Sequence, residues 1–169
     1  MKKNKRFNLS VQGGITMIEK TCCVTGHRDI PEDKKEYVIA ELEKEIRAAV
    51  ADGYTRFISG FAEGTDLIFA ALVIELKAQG HPLVLEAAIP YAGRLNSADP
   101  FFQKIVSLCD RIKVLCEKSS RSCYYIRNRY MVDESSRVIA VYDGRKDGGT
   151  TYTINYANAQ GRTVTVIEL

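Results

Sequence analysis

The stretch Ser59-Gly-Phe-Ala-Glu-Gly-Thr-Asp66 decides the fold of this chain. It follows residues 54–58, a β-branched and aromatic run that is typical of a buried strand. It precedes residues 67–79, which are rich in Ala and Leu, contain no breaker and therefore predict a helix. Gly60 and Gly64 then fall in a turn from strand to helix, where glycine lets a backbone approach a ligand closely.

Two interpretations of this turn are open. The free N–H groups at the start of a helix carry a partial positive charge and favour an anion such as phosphate. The alternative is a tight turn without a ligand, in which Thr65 or Asp66 caps the helix.

Segments typical of strands and helices alternate along the whole chain. Further strands are predicted at residues 21–25, 83–89, 111–115, 138–142 and 163–167, and further helices at 31–52, 101–109, 121–135 and 150–160. Several strands are continuous apolar runs, which are typical of a parallel sheet covered on both faces. We therefore predict an α/β fold, a three-layer α/β/α domain with a mainly parallel sheet of about six strands.

The chain is predicted to be one domain with an N-terminal extension. Its 169 residues are 46% hydrophobic and 27% charged, as in ordinary soluble domains. Residues 1–16 are polar and basic, so we expect a disordered extension there and the folded domain at residues 17–169. That extension lacks the apolar core of a signal peptide, and no apolar run approaches the ~20 residues of a membrane span.

Charge and cysteine usage exclude some functional classes. The net charge of +3 includes four basic residues among the first six, so the remainder is near −1 and does not favour duplex nucleic acid. The five cysteines form no Cys-x-x-Cys pair, and His27 and His81 lack the spacing of metal ligands. We expect no metal, and reduced thiols in a cytoplasmic protein.

Four segments follow predicted strands at the edge where parallel sheets bind ligands. They are residues 26–28, 59–66, 91–94 and 143–151. The second glycine-rich turn, Gly148 to Thr151, leads into a helix as the first one does, so two helix starts would face one crevice. The candidate ligand-binding residues are Gly26, His27, Arg28, Ser59, Gly60, Glu63, Gly64, Thr65, Asp66, Arg127, Asn128, Gly148, Gly149, Thr150 and Thr151.

Each candidate side chain also has an ordinary structural interpretation. His27 could stack on a base, hold phosphate or, as a loop histidine, bond to backbone. Arg28 suits phosphate but also a surface ion pair. Arg127 and Asn128 share a helix face that either packs or contacts ligand, and Tyr124, Tyr125 and Tyr130 form either a stacking surface or half-buried core.

These motifs resemble a known superfamily. The block Ser59 to Asp66 is similar to the Ser-Gly-x-Ala-x-Gly-Ile-Asp block of DprA/Smf DNA-processing proteins, and Gly149 to Thr153 resembles their second block. Thr25-Gly-His-Arg28 is typical of YpsA/YoqJ-like bacterial proteins. Over residues 20–169 the chain is identified as a member of the SLOG superfamily of Rossmann-like domains, with DprA and the LOG phosphoribohydrolases.

The resemblance implies a nucleotide or nucleotide-derived ligand bound by a sensor or regulatory module. LOG enzymes carry Pro-Gly-Gly-x-Gly-Thr-x-x-Glu with a catalytic glutamate, whereas this chain has Thr153 at the glutamate position and Asp143-Gly144 where the proline stands. An Arg-Lys pair of those enzymes is matched by Arg127-Asn128. We therefore assign no catalytic residue and expect no cofactor and no membrane partner.

Two other functions and the oligomeric state are left open. One alternative is N-glycoside or phosphoester hydrolysis of a nucleotide, with Glu63 or Asp66 as the acid/base group. The other is binding of single-stranded DNA, which needs a basic groove with aromatic residues and is not favoured by the charge. A monomer and a homo-oligomer are both compatible with the sequence.

Overall fold

A computed structural model describes residues 9–12 and 15–169 of the chain. Near the N-terminus, β1 (Leu9–Gln12) and β2 (Ile15–Ile18) pair antiparallel, with Leu9 opposite Ile18. The disorder expected for residues 1–16 falls partly outside the described residues, and this small sheet was not predicted. Two short runs of apolar and β-branched residues flanking a Gly-Gly pair are a hairpin signature that the sequence analysis passed over.

Six strands and five α-helices form the main body. The strands are β3 (Lys20–Gly26), β4 (Tyr54–Ser59), β5 (Val84–Tyr91), β6 (Arg111–Cys116), β7 (Arg137–Tyr142) and β8 (Thr163–Glu168). The helices are α1 (Lys35–Ala51), α2 (Thr65–Ala78), α3 (Pro100–Ser107), α4 (Arg121–Glu134) and α5 (Gly149–Ala159). Every predicted element of this body is present, with ends that differ by a few residues. None of the helices in the described part of the chain has the length and apolar content needed to cross a membrane.

All neighbouring strands of the large sheet run parallel, in the order β6-β5-β4-β3-β7-β8. This confirms the predicted α/β class and Rossmann-like architecture. From β3 the chain moves outward to β6 and then returns to place β7 on the other side of β3. In the pairing of β3 with β7, Cys22 lies beside Arg137 and Gly26 beside Val141. The reversal creates a crevice at the carboxyl ends of β3 and β7.

The helices cover both faces of the sheet, and alternate strand residues point to each layer. Phe57 of β4 packs in the larger core under α1, α2 and α3, whereas its neighbour Ile58 packs under α4 and α5. The helix α1 buries Val38, Leu42, Ile46 and Ala49, which recur at helical spacing as the sequence predicted. Burial on both faces explains why the strands are continuous apolar runs.

A buried polar cluster fastens the carboxyl-terminal half of α4 to the sheet. Arg56 on β4 and Glu86 on β5 are both almost fully buried and form an ion pair at 2.7 Å. A second ion pair, at 3.0 Å, joins Arg56 to Glu134 at the end of α4, and the Tyr130 hydroxyl donates to Glu86. Removing one partner of such a buried pair costs about 3–5 kcal/mol, so the cluster fixes where α4 lies.

We expect residues 1–16 to be dispensable for the stability of the main body. In the described residues, β1 and β2 pair with each other and with no strand of the six-stranded sheet. A chain starting at Met17 should therefore keep its melting temperature within about a degree, because a lost contribution of ~1 kcal/mol would lower it by ~2–4 °C. Differential scanning calorimetry of both chains measures this, and a larger drop would mean that the extension packs on the domain.

Candidate functional site

A cavity of about 410 Å³ lies at the carboxyl ends of β3 and β7, where the strand order reverses. Its walls come from the end of β3, the starts of α2 and α5 and the first half of α4. Eight of the predicted site residues line it: Gly26, His27, Arg28, Asp66, Arg127, Asn128, Gly149 and Thr150. The convergence of separate segments on one pocket therefore follows from the sheet topology.

The other predicted residues lie outside the cavity lining, and most of them shape its loops. Ser59 is fully buried, accepts the Phe61 N–H at 3.3 Å and donates to the Asp66 carbonyl at 2.8 Å. Phe61 has a positive φ of 53°, which is strained for a non-glycine residue. Glu63 is exposed to solvent at the tip of this loop.

Gly64 and Thr65 hold the loop before α2 against the end of β3. Gly64 has φ of +72°, and a Cβ there would lie 2.3 Å from the Arg28 carbonyl oxygen. Thr65 donates to the His27 carbonyl twice, from its N–H at 3.2 Å and from its hydroxyl at 2.9 Å. A Cβ on Gly26 would lie 2.5 Å from the Thr65 side chain. The glycines at this contact therefore serve the approach of one loop to another.

The expectation that Thr65 or Asp66 caps α2 is wrong. Gly64 is the N-cap residue, and no side chain caps the helix. The Thr65 hydroxyl is directed to the His27 carbonyl, while the Asp66 carboxylate accepts the Ala62 N–H at 3.2 Å. Both side chains are engaged in holding the preceding loop, so neither is available to the first turn of its own helix.

Arg127 spans the wall of the cavity between α4 and the loop after β4. Its guanidinium donates to the Gly60 carbonyl and, through Nε, to the Asn128 amide oxygen at 2.8 Å. A Cβ on Gly60 would overlap this guanidinium, so glycine makes room for it. The Asp66 carboxylate lies 3.6 Å away, too far for a strong charge-assisted hydrogen bond.

Burial works against both charges of this pair. It lowers the pKa of Arg127, and the attraction of Asp66 does not fully offset that effect. It raises the pKa of Asp66 in spite of Arg127 and the Ala62 N–H. Arginine nevertheless stays protonated in proteins. Within the described residues, Asp66 is the only carboxylate close to the Arg127 guanidinium. The cavity wall therefore contains a buried cation that is incompletely paired.

His27 is buried at the base of the cavity and contacts the loop after β7. Its Nε2 lies 3.0 Å from an Asp143 carboxylate oxygen, and its ring stacks on Tyr142 with centroids 5.9 Å apart. Arg145 holds the same carboxylate at 2.6 Å and, as the main cause, keeps the pKa of Asp143 well below its usual range. In residues 9–12 and 15–169, no group of three or more His, Cys, Asp or Glu side chains is arranged to hold a metal ion.

The start of α5 presents a second backbone wall to the cavity. Gly148 precedes it with φ of +105°, and Thr150 is almost fully buried against the cavity. The Thr151 hydroxyl bonds instead to loop carbonyls, including that of Asp147 at 3.1 Å. A Cβ on Gly149 would have its nearest neighbour, the Asn128 amide nitrogen, at 3.8 Å. The space beside Gly149 at the start of this helix is thus open.

Among the residues of the cavity wall, Arg121 and Arg145 were not predicted site residues, and both add positive charge. Tyr124 and Tyr125, for which a stacking surface and half-buried core were the two interpretations, also line it. Tyr124 lies one helical turn before Arg127 on the same helix. The predicted segment at residues 91–94 does not reach the cavity, since the Arg94 guanidinium lies over the Phe102 ring at 4.7 Å.

Two glycine-to-alanine substitutions should separate loop packing from ligand approach. Gly64→Ala should lower stability by at least ~1–2 kcal/mol, because its φ is left-handed and its Cβ meets the Arg28 carbonyl. Gly149→Ala should leave stability unchanged or slightly higher, because the new Cβ meets only ordinary contacts in a helix. Urea unfolding of both variants measures the difference, and equal stability would contradict the packing described for Gly64.

Solved structures of other proteins share this fold, and two of them are compared here. One is a structure of DNA processing protein A from Helicobacter pylori that addresses its single-stranded DNA binding mode. It superposes with a TM-score of 0.64 at 18% identity, over 89% of this chain and 66% of that one. The other is TM1055, a structural genomics target, with a TM-score of 0.56 at 16% identity, over 86% of this chain and 72% of that one. At such identities the likeness establishes the fold alone.

Relatives in sequence are bacterial proteins that carry the family designation UPF0398. The protein of Bacillus pumilus (strain SAFR-032) is 24% identical over 151 residues, covering 82% of this chain and 81% of its own length. That of Bacillus thuringiensis (strain Al Hakam) is 24% identical over 126 residues, covering 71% and 68%. The model of the YpsA family, described as the YspA SLOG family, matches residues 22–167. The chain therefore belongs to this family of the SLOG superfamily.

Proposed function

We propose that the cavity binds a nucleotide or nucleotide-derived ligand and that the chain acts as a sensor or regulatory module. The observation that carries the proposal is the buried, incompletely paired Arg127 in the wall of a cavity at the switch point of the sheet. An anion placed beside this guanidinium would supply the partner that Asp66 provides only at 3.6 Å. Phosphate is the anion that a planar guanidinium and nearby backbone N–H groups suit best.

The charges around the cavity support a phosphorylated ligand. Four arginines line it, Arg28, Arg121, Arg127 and Arg145, against the two carboxylates of Asp29 and Asp66. One of these arginines, Arg145, is already paired with Asp143. On the side of α5, the start of the helix and the buried Thr150 hydroxyl add donors. We expect phosphate there, between Arg28, Arg127 and the first turn of α5.

Aromatic residues on α4 suit the base of such a ligand. Tyr124 lies beside Tyr91, edge to face at 6.3 Å, and the Arg28 guanidinium is 5.8 Å from its ring. Tyr125, 41% exposed, continues the same wall. An aromatic face next to cationic side chains binds a planar base by stacking while the phosphate is held by charge. A phosphate end and a base end within one cavity favour a nucleotide over inorganic phosphate.

Hydrolysis of a nucleotide is a second candidate, and Asp66 is the residue that favours it. It lines the cavity with a pKa raised by burial, which is the direction a general acid requires, whereas Glu63 is exposed and outside the lining. Thr153 offers no replacement for the glutamate of the related enzymes. It is fully buried and donates to the Gly149 carbonyl at 2.7 Å, within its own helix.

Single-stranded DNA binding is a third candidate. It is supported by the fold shared with DNA processing protein A and by the aromatic and basic side chains at the junction of α4 and α5. There, Tyr125 and Tyr152 meet edge to face at 4.8 Å, and Arg129 lies over the Tyr152 ring. A steep fall of oligonucleotide affinity with salt would favour this function over small-ligand binding.

The cytoplasmic location stays a prediction, with all five cysteines as free thiols.

A thermal-shift screen of nucleotides and dinucleotides should find at least one stabilising ligand. At a ligand concentration 100 times the dissociation constant, the gain should be about 2.7 kcal/mol. Arg28→Ala and Arg127→Ala should each remove a charge-assisted bond worth ~1.5–3 kcal/mol, which weakens affinity roughly ten- to hundredfold. Isothermal titration with the stabilising nucleotide gives the affinities directly.

The matched control for this screen is Arg47→Ala. Arg47 is an exposed arginine on α1, paired with Glu43 at 2.7 Å and absent from the cavity lining. Arg47→Ala should keep the full thermal shift of the wild type. Gly149→Ala should remain folded but show a smaller thermal shift. If Arg28→Ala and Gly149→Ala both keep the wild-type affinity, the ligand does not bind in this cavity.

We expect phosphoribohydrolase activity on nucleoside monophosphates to be absent or trace. The reason is that Thr153 occupies the glutamate position of the related enzymes and is bonded within α5. Incubation of the protein with AMP, followed by chromatographic measurement of free adenine, tests this. Robust release of adenine that Asp66→Asn abolishes would make the hydrolase the correct function.

A further inference from the structure

The two edges of the six-stranded sheet differ in the side chains that they expose. At one edge, β6 begins with three exposed residues, and two of them are the basic Arg111 and Lys113. Charged side chains, lysine above all, commonly protect a sheet edge against pairing with another strand. At the other edge, β8 has the sequence Thr163-Val-Thr-Val-Ile-Glu168, with no lysine, no proline and no bulge. Within residues 9–12 and 15–169, β8 pairs with β7 alone, so this edge is open.

The hydrogen bonds to β7 determine which backbone groups of β8 point outward. Thr163 and Leu169 each donate their N–H group to a carbonyl on the β7 side, at 3.1 Å. Residues two apart in a strand direct their backbone groups to the same side, so the odd-numbered residues of β8 bond to β7. The even-numbered Val164, Val166 and Glu168 therefore present their N–H and carbonyl groups to the open edge.

The side chains of β8 are those of a strand that pairs on both sides. Val164 packs against the core under α4 and α5, and Val166 points to the same side of the sheet, where it is 45% exposed. Ile167 points to the opposite side and is almost fully buried. Every residue from Thr163 to Ile167 is β-branched, and such side chains pack well on a pleated sheet. This edge is therefore apolar along its length, with charge only at its ends.

We propose that β8 is the surface at which two copies of this chain form a dimer, by antiparallel pairing of β8 with β8 of the second copy. A two-fold axis at Thr165 places Val164 opposite Val166 of the second copy, and Arg162 opposite its Glu168. The even-numbered residues, whose backbone groups point outward, then form the hydrogen-bonded pairs that an antiparallel ladder requires. Every other register that keeps these pairs separates Arg162 from Glu168.

The charges at the two ends of the strand are complementary in this register. Arg162 lies just before β8 and Glu168 is its last residue, and neither is in an ion pair within the described residues. The Arg162 guanidinium donates to the Asp133 carbonyl at 3.2 Å, but its buried Nε has no hydrogen-bond partner there. Opposite charges that face each other across an antiparallel pair stabilise it, and like charges destabilise it. A second copy therefore supplies the counter-charge to both residues at once.

The dimer would leave both cavities open. Antiparallel pairing joins the two sheets into one continuous sheet, in which the carboxyl ends of the strands face opposite directions in the two copies. None of the residues that line the cavity belongs to β8. The proposal therefore does not depend on the proposed function, and a failure of either leaves the other intact.

A cysteine on the two-fold axis tests the register directly. Opposite residues of a non-hydrogen-bonded pair have Cα atoms about 4.5 Å apart, which is within the range of a disulfide. Under mild oxidation of the full chain, Thr165→Cys should form a dimer on a non-reducing gel that disappears after reduction. Thr163→Cys is the matched control and should not, because its two copies would lie roughly 14 Å apart along the ladder. The wild-type chain, with its five free thiols, gives the background.

Sedimentation velocity of the full chain, from micromolar to near-millimolar concentration, measures the dimer itself. Val166→Lys should shift the chain toward monomer, because it places an ammonium group on the edge opposite Val164 of the second copy. Ile112→Lys is the matched control on β6, since Ile112 is 50% exposed and lies on the other edge. It should dimerise as the wild type does. Circular dichroism verifies that both variants are folded.

Exchanging the end charges tests their complementarity. Glu168→Arg should weaken dimerisation roughly tenfold, because it sets like charges opposite each other twice by symmetry. Combining it with Arg162→Glu should restore the dimer. A wild-type chain that stays monomeric at the highest concentration would overturn the proposal. So would a dimer that tolerates both Val166→Lys and Glu168→Arg, or equal crosslinking of Thr163→Cys and Thr165→Cys.

Discussion

The site depends on one contact, the docking of the loop before α2 on the carboxyl end of β3. Thr65 gives both its N–H and its hydroxyl to the His27 carbonyl, and Gly64 lies so close to the Arg28 carbonyl that no side chain fits between them. This contact fixes the start of α2, and with it the Asp66 carboxylate. Two bonds to one buried acceptor leave the loop little freedom.

The same loop determines how Arg127 is held. Gly60 lets the guanidinium approach its carbonyl, while Ala62 and the Asp66 carboxylate meet on the other side of the turn. The arginine is thereby kept extended along the cavity wall at some electrostatic cost, since burial disfavours its charge and that of Asp66. Because this buried cation is already oriented, less free energy is lost to reorganisation when an anion binds.

The sequence was sufficient for the fold because every level of its pattern agreed. Apolar runs, helix periodicity and glycine turns alternated in one order, and each predicted element of the main body is present. About half of the predicted site residues also line the cavity, because the ends of parallel strands converge by topology alone. Gly64 was predicted to let a ligand approach and Thr65 to cap a helix, whereas in the structure both hold one loop against another. A glycine that admits a ligand and one that admits another loop look the same in sequence.

Other features depended on long-range contacts that no local pattern reports. The part of the wall contributed by Arg121 follows from the position of α4, which the buried pair of Arg56 and Glu86 fixes from the far end of that helix.

The strand order also determines when the cavity can exist during synthesis. The strand β3 is the first of the six to leave the ribosome, yet its partner on the cavity side, β7, is the fifth. Until β7 has emerged, β3 presents one unpaired edge and the crevice has only one wall. Parallel pairing between segments this distant is intrinsically slow, because the intervening chain must first be ordered. A truncated chain that ends before β7 would therefore expose an apolar strand edge to aggregation and lack the pocket altogether.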